Sequence, residues 1–134
     1  RDLVFKLDEL LELAGWSDIV EQDRVFDLRA VAPTNVRVIF EIKTITDSNE
    51  TSQCRSGLAQ LLEYRFISGE PTDQLCLVVS RPISQYRARV LDHLEVGVLI
   101  LDGDQLSDGN DCGYALLQHI HGDRSMSEPV AEGL

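Results

Sequence analysis

Leu75-Cys76-Leu77-Val78-Val79 sets five apolar side chains in a row, with Asp73-Gln74 before them and Ser80-Arg81-Pro82 after. A strand of that kind has no polar face to turn toward water, so it has to be covered on both sides. Residues 96–101 repeat the pattern around Gly97. Two such strands demand helices above and below one sheet, and the rest of the chain offers them. Leu3, Leu7, Leu10, Leu11 and Ala14 recur at helical spacing ahead of Gly15, which predicts an amphipathic helix over 2–14. A second helix, over 49–67, follows the capping residues Asp47-Ser48-Asn49-Glu50 and stops at Gly69 and Pro71; its apolar stripe is Cys54, Leu58, Leu61, Leu62 and Phe66. A third spans 84–94. With strands at Ile19-Val20, 24–31 and 36–45, the order is α-β-β-β-α-β-α-β, a mixed α/β sheet flanked by helices. Residues 102–112 read as a polar loop. A single domain over 1–121 is expected, followed by a flexible acidic tail over 122–134.

The runs 24–31 and 36–45 alternate with period two around Ala32-Pro33-Thr34-Asn35, a sequence suited to a tight turn. Alternation puts Asp27 on one face with Val25 and Arg29, while Phe26 and Leu28 point the other way. On the second strand Ile39, Glu41 and Lys43 share a face, and Val38, Phe40 and Ile42 share the opposite one. A turn centred near Thr34 makes residues whose numbers sum to about 68 face each other, so Asp27 comes opposite Glu41. Directly opposed side chains have Cβ atoms roughly 4.5–5.5 Å apart, and two like charges there are destabilising unless something stands between them. A divalent cation answers that objection, because Mg²⁺ is held by one or two carboxylates with water and substrate phosphate. Lys43 reaches the same space. On the 49–67 helix, Gln53, Gly57, Gln60 and Tyr64 form a second, polar stripe apart from the leucines.

The chain has 134 residues with 12 Lys+Arg against 23 Asp+Glu, a net charge of -11. That total argues against a polyanionic partner until it is sorted along the chain: residues 1–23 carry -5, residues 24–91 carry +2 and residues 92–134 carry -8. The segment with Asp27, Glu41 and Lys43 is the positive one, and Arg55, Arg65, Arg81, Arg87 and Arg89 offer a phosphate-facing rim. Cys54, Cys76 and Cys112 are odd in number and far apart, which fits neither a disulfide framework nor a metal knuckle. They read as buried thiols of a reduced, cytoplasmic protein. No apolar run approaches the ~18 to 20 residues of a bilayer span. His119-x-His121, read as part of a strand, would put two imidazoles on one face, but no Cys or Asp stands at a matching spacing.

Asp27, then Glu41-Ile42-Lys43 at the end of an apolar strand, then Gln60-Leu61-Leu62-Glu63-Tyr64 on the next helix resembles the PD-(D/E)xK nuclease superfamily, specifically the branch with a Gln-x-x-x-Tyr helix motif that includes RecB-type nuclease domains. The matched stretch covers about residues 2–80 and is similar to that family's restriction endonuclease-like αβββαβ core. Phe26 stands where the motif name has Pro. The resemblance implies a DNA endonuclease using Mg²⁺ or Mn²⁺. Asp27 and Glu41 would bind the metal, with the Ile42 backbone carbonyl as a further ligand. Lys43 would position or deprotonate the attacking water, while Gln60 and Tyr64 would orient the Lys43 amine or the DNA backbone. Many relatives add an acidic residue from the first helix, and Asp8 is the choice here. Such domains keep company with prokaryotic defence and restriction systems, and a homodimer or an added targeting domain or subunit would make up for weak intrinsic DNA affinity. The competing reading is a catalytically idle module of the same fold that binds nucleic acid or a partner protein.

Overall fold

The computed structural model of the protein describes residues 2–22 and 25–121, so the tail expected over 122–134 lies outside the described residues. Among these the chain runs α1 (Asp2–Leu13), β1 (Ser17–Gln22), β2 (Phe26–Val31), β3 (Arg37–Lys43), α2 (Glu50–Ser68), β4 (Gln74–Val79), α3 (Gln85–His93), β5 (Val96–Asp102), β6 (Gln105–Asp108) and α4 (Asp111–His121). The strands form one sheet in the order β1-β2-β3-β4-β5-β6. β3, β4 and β5 are parallel, whereas β1, β2 and β6 pair antiparallel, so the sheet is mixed. The parallel pairs are those joined through α2 and α3, since a parallel return has to travel back along the sheet.

β4 is buried from Leu75 to Val79, as its unbroken apolar run requires. Cys76 and Val78 meet Leu7 and Leu11 of α1 and Leu116 and Leu117 of α4 on one side. Leu75, Leu77 and Val79 meet Cys54 and Leu61 of α2 and Leu91 of α3 on the other. No described helix is long and apolar enough to cross a membrane.

The hairpin forms in the expected register. Leu28 pairs with Phe40, Arg29 with Ile39, Ala30 with Val38 and Val31 with Arg37. The turn closes with Asn35 N–H donating to the Ala32 carbonyl and Ala32 N–H to the Val36 carbonyl, both at 2.8 Å. Asn35 takes a φ of +74°, a left-handed conformation that asparagine tolerates better than most residues.

Several local expectations give way. Residues 105–108 are not loop but β6, an edge strand paired to β5 with Leu106 buried; one apolar residue in a polar stretch carries too little period to be read as a strand. His119 and His121 lie on α4 rather than a strand, so residues two apart point about 200° away from each other around the helix. Asn110 starts α4, its Oδ1 accepting the N–H groups of Gly113 at 2.7 Å and Val98 at 2.9 Å. Leu62 and Phe66, expected inside, are 42% and 90% exposed. α2 turns Cys54 and Leu61 to the sheet as expected, with Gly57 between them in place of the outer end of the stripe, because Gly57 permits an approach that a side chain would block. Phe26 joins Ile39 and Cys54 on the α2 side while Leu28 packs on the α1 side, so strict alternation fails at the irregular start of β2.

Candidate active site

β2 and β3 bring the two carboxylates together. Their ladder runs to Leu28 opposite Phe40, and one step further along the same antiparallel pair stand Asp27 and Glu41. Asp27 Oδ2 accepts the Ile42 N–H at 2.8 Å, which holds this carboxylate against β3. Glu41 is only 4% exposed, an unusual place for an acid. Its Oε2 lies 3.5 Å from Lys43 Nζ, and its Oε1 is buried with no hydrogen-bond partner among the described residues. Burial first, and the Asp27 carboxylate second, push the Glu41 pKa up to about 7, against the pull of Lys43.

α2 supplies the wall. Ser56 Oγ donates to Gln60 Oε1 at 3.3 Å, and Gln60 Nε2 donates to the Tyr64 hydroxyl at 3.4 Å. Burial and the charges of Glu41 and Asp27 raise the Tyr64 pKa, so its hydroxyl keeps a proton to donate. Gly57 sets the height of this wall. A Cβ there would stand 2.6 Å from Leu77 Cδ1 and 3.6 Å from Lys43 Cγ, so only glycine lets the helix settle beside the Lys43 stem without moving Leu77.

Asp27, Glu41, Lys43, Gln60 and Tyr64 therefore meet on one face of the sheet. Asp8 belongs elsewhere: it lies on α1, whose inward residues Val4, Leu7 and Leu11 pack on the opposite face, and its carboxylate neighbour is Glu12, whose pKa it raises. Nor do the expected arginines form one rim. Arg81 pairs with Asp47 at 2.7 Å, Arg65 donates to the Asp73 carbonyl at 3.2 Å, and Arg87 stands over the Tyr86 ring at 5.6 Å. Sequence reasoning missed the burial of Glu41 and the role of Gly57. The signal for Gly57 was present, since it lies in the polar stripe three residues from both Cys54 and Gln60, but spacing does not record how closely a helix meets the sheet.

Two hard carboxylates, one buried with a bare oxygen, suit a small divalent cation in place of a proton, with waters completing its shell. Among the described residues no group of three or more His, Cys, Asp and Glu converges on a point, so protein donors from side chains here would number two. The larger cavities lie away from this chemistry. One of about 710 Å³ runs along the outer face of α3 past Tyr86 and Leu94, and one of about 730 Å³ lies between Leu13, Thr34, Asp104 and His119. Neither holds a converging pair of carboxylates. Comparison with profiles of known protein families, with curated proteins and with solved structures finds no match in any of the three.

Proposed function

We propose that the protein is a metal-dependent nuclease of the PD-(D/E)xK type, with a restriction endonuclease-like core, hydrolysing DNA phosphodiester bonds. The observation that carries this reading is the Asp27–Glu41 pair with Lys43 Nζ 3.5 Å from Glu41, walled by Gln60 and Tyr64. Asp27 and Glu41 would hold Mg²⁺ or Mn²⁺, with the Ile42 carbonyl oxygen as the further ligand that the resemblance implies. A bound cation supplies Lewis acidity toward the scissile phosphate and a more acidic water. Lys43 orients the attacking water and offsets charge that builds on the phosphate in the transition state. The protonated Tyr64 hydroxyl, oriented by Gln60, donates toward a phosphate oxygen. Cytoplasmic action in a prokaryotic defence or restriction system, aided by a homodimer or a targeting subunit, is the context we propose.

Asp27→Ala, Glu41→Ala and Lys43→Ala should each reduce Mg²⁺-dependent plasmid cleavage by at least about 10²-fold, the scale of losing one transition-state contact. Circular dichroism should show the fold retained. Wild-type cutting rates in all three would end the nuclease reading. If the wild type itself neither cuts nor gives a calorimetric Mg²⁺ or Mn²⁺ signal that Asp27→Asn weakens, the idle module replaces it.

A further inference from the structure

The outward face of α2 is divided by size. Within an arc of about 120° on the side away from Gly57, the first half of the helix presents Ser52, Ser56 and Ala59 and the second half presents Leu62 and Phe66. All five are exposed, and Phe66, directly opposite Gly57 around the helix, is 90% exposed. Neither large side chain joins either apolar cluster of the core, so the packing of one chain gives them no partner. The hydroxyls of the small half are already satisfied on their own helix: Ser52 Oγ donates to the Asn49 carbonyl at 3.1 Å and Ser56 Oγ to Gln60 Oε1 at 3.3 Å. Apolar cover over them therefore orphans no donor.

Two charges share this arc. Arg55 and Glu63 are exposed and, among the described residues, form no ion pair. Eight residues apart on one helix, they stand about 12 Å apart along its axis, too far to meet each other. A second α2 laid antiparallel across Ala59 changes that. It sets Phe66 opposite Ser52, Leu62 opposite Ser56 and Arg55 opposite Glu63, each pair equidistant from Ala59 in the sequence. Phe66 then enters a hole rimmed by Ser52, Ser56, Ala59 and the Arg55 stem of the other copy, the spacing of a knob in its hole. Large meets small and cation meets anion twice over, which is the self-complementarity that a two-fold contact requires.

We infer that the outward face of α2 docks on the same face of a second copy of this chain, as an antiparallel helix pair crossing at Ala59. Gln60 and Tyr64 lie about 120° and 160° around the helix from Phe66, outside the contact arc, so the pairing does not draw on the candidate site. A contact between two helices belongs at the low end of specific interfaces, below about 1,200 Å², so the dimer is reversible rather than permanent. The inference goes beyond the nuclease reading and does not depend on it.

Sedimentation equilibrium of the full chain, from micromolar to millimolar concentration, tests it. The wild type should pass from the mass of one chain to that of two. Phe66→Ser should raise the dimer Kd at least about tenfold with Tm unchanged, since the ring is exposed in the single chain. Arg55→Glu and Glu63→Arg should each raise Kd about fivefold by setting like charges together, and the double variant Arg55→Glu/Glu63→Arg should return it to within about twofold of the wild type. Glu9→Arg on α1, which packs on the opposite face of the sheet, makes the same charge change as Glu63→Arg and should leave Kd unchanged. Single-chain mass at every concentration overturns the inference. So does a dimer indifferent to Phe66→Ser, a double variant no tighter than its singles, or an equal rise in Kd with Glu9→Arg; the nuclease reading is untouched by each of these.

Discussion

Glu41 is where the chemistry of a single residue reaches furthest. Its pKa in the fold, about 7, lies above the ordinary value of 4.5, so the fold favours the protonated acid. That contribution to stability is complete below about pH 4.5 and is lost as pH rises through 7. Relative to Glu41→Gln, whose side chain never ionises, the wild type should lose about 3 kcal/mol between pH 4.5 and pH 7.5, read by urea unfolding of both proteins. Equal pH slopes for the two would show that the carboxylate is not held as described. A cation at the site favours the ionised form instead, so Mg²⁺ should raise the wild-type Tm more at pH 8 than at pH 6. That Asp27 faces Glu41 was legible in the sequence, because period-two alternation and a turn at Thr34 leave one register that buries Leu28, Val38 and Phe40. The burial of Glu41 was not, since it depends on how closely α2 comes down, which no local pattern records.

At the scale of elements, two helices owe their seats to glycine, and to different degrees. A Cβ at Gly113 would lie 2.0 Å from the Val98 carbonyl oxygen, a backbone atom in the middle of β5. At Gly57 the obstacle is the end of the Leu77 side chain at 2.6 Å. Gly113→Ala should therefore cost about 3 kcal/mol or more by forcing α4 off the sheet. Gly57→Ala should cost about 1 kcal/mol, because Leu77 adjusts and alanine returns some helix propensity. Chemical denaturation of both variants checks the order, and the reverse order would contradict the packing described. The same two helices mark the limits of reading elements from sequence. α4 was hidden because Asp108-Gly109-Asn110 reads as loop, yet Asn110 is the residue that caps it, with Nδ2 also donating to the Ala88 and Val96 carbonyls. α2 was found in place, with Cys54 and Leu61 inward, but its apolar stripe was read too wide. Apolar spacing extends the inner stripe from Cys54, Leu58 and Leu61 to Leu62 and Phe66, whereas the sheet accepts the smaller surface around Gly57 in place of those last two.

In the whole molecule, the end of the sheet remote from the site is fastened by one buried acid. The Asp73 carboxylate ties the start of β3 through Arg37 and its own loop through the Glu70 N–H, while its backbone carbonyl accepts from Arg65 at the end of α2. Burial alone would raise its pKa, but Arg37 and the Glu70 N–H outweigh that and hold it below the ordinary carboxylate value. Asp73→Ala should destabilise by about 2 to 3 kcal/mol, at the low end for a buried pair because Arg37 is 31% exposed and regains water. Thermal unfolding measures it, and a loss under about 0.5 kcal/mol would mean the junction carries no weight. Fold class was legible at this scale because 75–79 and 96–101 leave no choice but helices on both faces; the added β6 and α4 extend that sheet without changing it. Among the described residues α2 lies against β3, β4 and part of β2, leaving β1 on that side of the sheet without a closely packed helix, and this has a topological consequence. A channel roofed on every side admits a polymer only by threading one of its ends, whereas a shelf with one side open receives it broadside. For the nuclease proposed here, a covalently closed circle should thus be cut as readily as the same sequence made linear.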